Sequence, residues 1–144
     1  MRIYKTLKLA LVLSSITISA KSADLQVSID QINSDNGVIL AQLFTGEENY
    51  KKSNSLDSKM LEAKKGVGQL IFKNLEPGDY VIRMYHDENN NQKMDKNAFG
   101  MPTEGYGFSN EAIGNMGPPK YKDMVVVIKE KDSVIKTIAK MIYL

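Results

Sequence analysis

Four oxygen-bearing side chains recur at close intervals in the segment 86–95. Asp87, Asn89 and Asn91 occupy alternate positions, and a second carboxylate follows at Asp95. Carboxylate and amide oxygens at this spacing, with a backbone carbonyl between them, are ligands with which a short loop surrounds a hard cation such as calcium. We therefore predict a calcium site formed by Asp87, Asn89, Asn91, Asp95 and the backbone carbonyl of Lys93.

The segment departs from the helix–loop–helix calcium motif. Counted from the first aspartate, position 6 is Gln92 instead of glycine and position 12 is Ala98 instead of glutamate. An EF-hand is excluded, and further ligands would have to come from Glu88, Glu104 or backbone carbonyls. The alternative explanation is that Asp and Asn are present because they form Asx turns and accept left-handed backbone. The second carboxylate, Asp95, favours the cation because a simple turn does not need it.

The chain has one histidine, His86, and no cysteine. His86 shares the strand periodicity of Tyr80 and Met84, which predicts that it lies at the core-side end of a strand and bonds into the following loop. A zinc site would need further nitrogen or sulfur ligands. The catalytic alternative is a hydrolase that uses Asp87, His86 or Glu104, and it requires these side chains to converge in a pocket.

A glycine-rich aromatic segment covers residues 104–110. Aromatic rings in a loop are most simply explained as a small core that holds the loop in place. The functional alternative is a candidate ligand surface, formed by Phe99, Tyr106 and Phe108, that stacks on a sugar or a peptide. Ser109 is not in a nucleophile elbow, because that motif needs a glycine where Glu111 stands.

The elements that would position these residues have the pattern of β-strands. Leu25, Val27 and Ile29 alternate with polar residues, and a Pro77-Gly78 turn just before Tyr80 predicts a tyrosine corner. About seven strands without a long helix predict a single all-β sandwich, of the prealbumin or immunoglobulin-like kind, over residues 21–144. The predicted strands cover residues 25–29, 38–44, 60–64, 70–72, 80–86, 124–129 and 134–143. Residues 87–120 contain no clear strand, so we expect one long ordered loop there.

The beginning of the 144-residue chain has the pattern of a secretory signal peptide. Arg2, Lys5 and Lys8 precede an apolar run over residues 9–18, and small residues follow. We predict a signal peptide over residues 1–20, cleaved within 20–23, and a periplasmic or secreted protein of the cell envelope. No transmembrane segment is expected after cleavage, since the apolar run is short for a membrane span.

Removal of the signal changes the charge of the protein. The chain has 19 basic and 17 acidic residues, and four of the basic ones lie in residues 1–23, so that 15 remain against 17. The net charge of −2 leaves no basic surface of the kind that binds nucleic acid. The partner is therefore expected to be an unknown protein or glycan.

The motifs resemble a known bacterial family. The chain is similar to the family called domain of unknown function 2141 in four places. These are residues 86–95, the segment 100–110, the turn 75–80 and Gly117-Pro118-Pro119. The resemblance implies a secreted or periplasmic protein for which no activity is established. In the usual loop of that family a glycine stands where this chain has Gln92, which disfavours a tight turn at this position.

The sequence thus predicts a non-enzymatic envelope or binding module with a calcium-ordered loop. Two alternatives stay open. One is the hydrolase, and the other is a structural or assembly subunit of the envelope whose loop needs no ion. The latter would present an exposed apolar patch or an unpaired edge strand.

Overall fold

A computed structural model describes residues 21–144, and the predicted signal peptide, residues 1–20, lies outside the described residues. Strands dominate this part of the chain, and two short helices and a 3₁₀ turn at Ser109–Glu111 interrupt them. The strands are β1 (Ala23–Ile32), β2 (Val38–Thr45), β3 (Asp57–Glu62), β4 (Gly66–Leu75), β5 (Gly78–Asp87), β6 (Tyr106–Phe108), β7 (Val126–Ile128) and β8 (Val134–Lys140). The helices are α1 (Glu47–Lys51) and α2 (Tyr121–Met124).

The eight strands form two sheets. The three-stranded sheet has the order β4-β1-β8, in which β1 and β8 run parallel. The five-stranded sheet has the order β3-β2-β5-β6, and β7 pairs with the end of β5 that β6 leaves free. The predicted all-β sandwich is confirmed, whereas its likeness to prealbumin or immunoglobulin domains stays a prediction.

The core lies between the two sheets and follows from strand alternation. Leu25, Val27 and Ile29 are fully buried on one side of β1, as their spacing predicts. Ile39 and Ile82 contribute from the five-stranded sheet. Burial of such side chains, worth about 1.5–3 kcal/mol each, has to stabilise the domain without help from disulfides, because the chain has no cysteine.

A second apolar cluster covers the outer face of the five-stranded sheet. It joins Phe44 of β2 and Val81 of β5 to Phe108, Ala112 and Met124 from the covering segment. β5 is therefore buried on its inner face, and on its outer face at Val81 and Asp87, whereas Arg83 and Tyr85 are half-buried there. The long loop that the sequence predicts over residues 87–120 is thus partly folded onto the sheet.

The predicted tyrosine corner is confirmed. The hydroxyl of Tyr80 donates a hydrogen bond of 2.7 Å to the carbonyl oxygen of Glu76, across the turn that joins β4 to β5. This bond fixes the start of β5, the strand whose far end carries the segment 86–95. In the part of the chain that the structure covers, no helix has the length and apolarity needed to cross a membrane.

The sequence prediction was wrong about the interior of the loop. Residues 87–120 contain the strand β6, which pairs Gly107 with Met84 and Tyr106 with Tyr85. Between the predicted strands 38–44 and 60–64 lie α1 and the first residues of β3, neither of which the sequence predicted. The predicted strand over residues 60–64 is confirmed as part of β3, although β3 ends at Glu62.

Candidate functional site

The loop that follows β5, residues 87–104, is wrapped around the carboxylate of Asp87. Asp87 is completely buried. Its Oδ1 atom accepts the backbone N–H of Asn91 at 3.0 Å, and its Oδ2 atom accepts that of Gln92 at 2.7 Å. Since hydrogen bonds from backbone N–H groups satisfy a buried carboxylate, Asp87 closes the first turn of the loop.

The next three predicted ligands also lie together. The Oδ1 atoms of Asn89 and Asn91 accept the backbone N–H groups of Asn91 and Lys93, in two successive Asx turns. The amide nitrogens of both side chains donate to Asp95, Asn89 at 2.6 Å and Asn91 at 2.9 and 3.0 Å. Asp95 therefore faces the first half of the loop from across the turn.

The tight turn forms although Gln92 replaces a glycine. Gln92 has φ of +60° and Asn90 has φ of +59°, so both lie in the left-handed region. Asn accepts this conformation readily, whereas a glutamine there is strained. The hydrogen bond from the Gln92 N–H to Asp87 offsets that strain, so a tight turn forms where the family resemblance disfavoured one.

Glu104 closes the loop at its far end. This side chain is almost fully buried, and its two oxygens accept the backbone N–H groups of Glu88 at 3.1 Å and Asp95 at 3.0 Å. One carboxylate thus fixes the loop at two points that are seven residues apart in sequence. Glu104 contacts the backbone N–H groups of the loop, so the spacing of side chains in the sequence does not reveal these contacts.

His86 is fully buried at the core-side end of β5, as predicted. Its Nε2 atom donates to the carbonyl oxygen of Asn36 at 2.6 Å, and in this tautomer Nδ1 accepts the Tyr143 hydroxyl at 2.8 Å. The backbone N–H of His86 bonds to the carbonyl of Gly105. Gly105 is required there because a side chain would overlap the ring of Tyr143. His86 therefore joins three segments of the fold.

These contacts limit what the site can do chemically. Among residues 21–144, no three His, Cys, Asp or Glu side chains converge in a way that could hold a metal ion. A cation in this loop would depend on amide and carbonyl oxygens as well as on Asp87 and Asp95, which suits a hard ion such as calcium. His86 and Asp87 are both buried and hydrogen-bonded, which leaves neither free to serve as a general base.

The three aromatic residues of the candidate ligand surface lie in different surroundings. Phe108 is buried in the second apolar cluster, and Tyr106 packs at the edge of that cluster. Phe99 is 92% exposed at the tip of a small hairpin that the bridge between Lys96 and Pro102 closes. Tyr106 and Phe108 therefore fit the explanation of residues 104–110 as a small core that holds the loop in place.

Arg83, on β5, is a half-buried residue that the sequence analysis did not single out. Its guanidinium donates to the Oε1 atom of Gln42 at 2.7 Å and lies over the rings of Phe44 and Tyr50, with its central carbon at 5.0 and 5.9 Å from the ring centres. The signal that could have marked it is its rarity, because every other basic residue after Arg2 is a lysine or His86.

Tyr85, the neighbour of Arg83 in sequence, lies close to the acidic end of the site. Burial raises the pKa of the Tyr85 hydroxyl above its ordinary value of 10.0, and the carboxylates of Asp87 and Glu104 raise it further, whereas Arg83 lowers it. The proton therefore stays on Tyr85 at physiological pH. The ring presents a neutral hydroxyl beside the loop.

Comparison with known proteins agrees with the family resemblance. No curated protein and no solved structure matches the chain. The model of one family, described as an uncharacterized protein conserved in bacteria (DUF2141), matches residues 27–136, which is more than half of the chain. The matched range includes the 87–104 loop and strands β2 to β7. The chain therefore belongs to this family of uncharacterised bacterial proteins.

Proposed function

We propose that the protein is a secreted or periplasmic binding module of the cell envelope, not an enzyme, in which calcium orders the 87–104 loop. The observation that carries the proposal is the convergence of Asn89 and Asn91 on the carboxylate of Asp95, in a loop wound around Asp87. The signal-like segment at residues 1–20 supports the extracytoplasmic address.

The donor set fits a hard cation. Asp87 and Asp95 supply negative charge, while Asn89, Asn91 and the Lys93 carbonyl would supply neutral oxygens. The carboxylate of Asp95 now accepts hydrogen bonds from the amide N–H groups of Asn89 and Asn91, and a bound cation would replace these bonds. With only two carboxylates, we expect a dissociation constant of about 10⁻⁴–10⁻³ M, at the weak end for calcium sites.

A role outside catalysis is supported by the burial of the candidate catalytic groups. The hydrolase alternative needs His86, Asp87 or Glu104 to meet a substrate. Each of the three is buried, and each makes hydrogen bonds to other parts of the fold. An ordered loop above a rigid sandwich, with no accessible base among these three, suits binding better than it suits proton transfer.

The calcium proposal is tested by thermal unfolding of the purified protein, expressed from the full-length sequence. At free calcium ten times the dissociation constant, binding adds about 1.4 kcal/mol to the free energy of unfolding. For a domain of this size we expect the melting temperature to rise by roughly 5 °C over the value in chelator. No shift at 10 mM calcium would overturn the proposal.

The site is located by a pair of variants. Asp95→Asn keeps the size of the side chain and removes one carboxylate, so we expect most of the calcium-dependent shift to disappear. Glu130→Gln removes one charge from an exposed position in the turn before β8 and should leave the shift unchanged. Magnesium should give a smaller shift, because it loses its water ligands reluctantly.

The proposed periplasmic or secreted location is tested with the same protein, expressed from the full-length sequence. Intact mass measurement should show a chain that begins between residues 21 and 24, recovered from the periplasm or the medium. A full-length chain that is retained in the cytoplasm would contradict the proposed address without affecting the calcium test.

The alternative of an ion-free assembly subunit is favoured by one observation. Within residues 21–144, the ten-residue strand β4 pairs only with β1, so its other edge is free, and Val67 on this strand is 60% exposed. Sedimentation of the purified protein over a tenfold concentration range distinguishes the two functions. A concentration-dependent oligomer that Val67→Lys abolishes would support assembly.

A further inference from the structure

The outer face of the five-stranded sheet carries a row of apolar and aromatic side chains that crosses four strands. Pairing sets Leu40 opposite both Met60 and Tyr85, and sets Tyr85 opposite Tyr106. Side chains at directly opposed positions point to the same face, which is opposite to the face of the buried Ile39. With strands about 4.8 Å apart, the row is roughly 14 Å long.

The next row on the same face is polar and contains Arg83. Gln42 lies opposite Ser58 on one side and Arg83 on the other, and Arg83 lies opposite Phe108. The aromatic row is therefore bordered by an amide and a guanidinium on one side. On its other side lie Glu62, Val38 and Asp87, and the 87–104 loop begins at Asp87.

Arg83 is a fixed cation without an anionic partner among the described residues. No carboxylate lies within 4.0 Å of it in residues 21–144, whereas Gln42 and the rings of Phe44 and Tyr50 hold it in place. A guanidinium has five N–H donors, and in this part of the chain only one hydrogen bond uses them. A planar donor group that is held in this way is pre-organised for a carboxylate.

The neighbouring row indicates what the carboxylate would be attached to. Tyr85 and Tyr106, both half-buried, place two aromatic rings side by side on adjacent strands, and Leu40 and Met60 extend the apolar surface to the sheet edge, where Met60 is 59% exposed. A pyranose ring has an apolar C–H face and polar edges, so it matches a row of tyrosines beside an amide. A uronic acid adds the carboxylate to such a ring.

We propose that this face, defined by Met60, Leu40, Tyr85 and Tyr106 with Gln42 and Arg83, binds an acidic saccharide whose carboxylate pairs with Arg83. The inference rests on the proposed binding function and names its ligand class. A peptide that adds a strand to a sheet edge would not use the side chains of this face. The length of the row accommodates about three sugar units.

The test is calorimetric titration of the purified protein with a hexamer of galacturonic acid and, separately, with alginate and hyaluronan oligomers. Chelator is present so that calcium does not cross-link the polyanions. We expect at least one of them to bind, with affinity that falls as salt is raised, because the interaction is between charges. A neutral cellulose hexamer should bind at least tenfold more weakly.

Three variants test whether the saccharide binds to this face. Arg83→Lys keeps the charge and removes the planar fork, so affinity should fall about tenfold. Met60→Glu places a negative charge, of the same sign as the saccharide, at the exposed end of the row. It should weaken binding with little effect on folding. Lys73→Gln removes a charge from the exposed side of β4 in the other sheet and should change nothing. Melting temperatures of all variants show whether each is folded.

Several outcomes would overturn this proposal. These are no binding of any acidic oligosaccharide, equal binding of the neutral hexamer, or affinity that Arg83→Lys and Met60→Glu leave unchanged. Tighter binding of polyglutamate than of the saccharides would show that the face recognises acidic peptides instead. The calcium-dependent melt is a separate measurement, so failure of the calcium site does not hide the result for this face.

Discussion

The Oδ2 atom of Asp87 lies 2.7 Å from the backbone nitrogen of Gln92, and this hydrogen bond holds Gln92 in the left-handed region with φ of +60°. The buried carboxylate thus imposes a glycine-like conformation on a glutamine. Strain of this kind costs of order 1–3 kcal/mol and persists only where surrounding contacts determine the backbone.

Replacement of Gln92 by glycine should therefore stabilise the protein. Gln92→Gly removes the left-handed strain while keeping the N–H that Asp87 accepts, and we expect the free energy of unfolding to rise by about 1 kcal/mol. Asn90→Gly is the matched control, because Asn90 has nearly the same φ but tolerates it better. Urea denaturation of both variants checks the difference, and an equal or smaller gain for Gln92→Gly would contradict it.

Glu104 offers a test of how the loop is held. Glu104→Gln replaces one acceptor oxygen by an NH₂ group, so either Glu88 or Asp95 loses the acceptor of its backbone N–H. We expect the free energy of unfolding to fall by about 1–3 kcal/mol, the cost of an unsatisfied buried group. Faster hydrogen exchange should be confined to residues 87–104. Exchange that rises evenly across both sheets would show that Glu104 stabilises the whole domain instead.

Two tyrosine hydroxyls are expected to differ in their effect on stability, because one has a hydrogen-bond partner and the other has none among the described residues. Tyr80→Phe removes the bond to the Glu76 carbonyl and should lower the free energy of unfolding by about 1 kcal/mol. The hydroxyl of Tyr121 is buried and has no hydrogen-bond partner among the described residues. Tyr121→Phe removes that unsatisfied group and should leave stability unchanged or raise it by up to about 1 kcal/mol. Paired thermal melts measure both, and destabilisation by Tyr121→Phe would mean that its hydroxyl is satisfied in solution.

Strand patterns predicted much of this fold because they depend on neighbouring residues. The alternation of Leu25, Val27 and Ile29 defines the buried face of β1, and the turn before Tyr80 defines the start of β5. β6 could not be predicted in this way, because its three residues include Gly107 and its pairing partner Met84 is 23 positions earlier. A strand this short is determined by the sheet edge that it meets.

The candidate site likewise has features that the sequence predicts and features that it does not. The spacing from Asp87 to Asp95 predicts which side chains meet, since a short loop brings alternate residues to one side. The sequence does not reveal that Gln42 lies opposite Arg83, because that depends on the register between β2 and β5. Nor does it reveal that Gln92 adopts a left-handed backbone conformation because its N–H bonds to the carboxylate of Asp87, five residues earlier. The first feature depends on pairing between distant segments, and the second depends on a local hydrogen bond that overrides the backbone preference of glutamine.

Alkaline pH should destabilise the protein, and Tyr143 should account for part of the effect. Burial raises the pKa of the Tyr143 hydroxyl above its ordinary value of 10.0, and the Glu88 carboxylate raises it further, whereas the hydrogen bond from the Asn33 N–H lowers it. The hydroxyl is neutral in both states below pH 10. Above pH 10.0 the unfolded chain loses this proton first, so the free energy of unfolding falls until the pH passes the folded pKa.

The contribution of Tyr143 is separated by one variant. Tyr143→Phe removes the hydroxyl that donates to His86, so it should lower stability at pH 8 by about 1 kcal/mol. Above pH 10 the variant should lose stability less steeply than the parent protein, because one fewer tyrosine with a raised pKa titrates. Urea midpoints at pH 8, 9, 10 and 11 give both slopes. Parallel slopes would show that the hydroxyl of Tyr143 titrates alike in the folded and unfolded chains, and the buried contact with His86 would then not hold in solution.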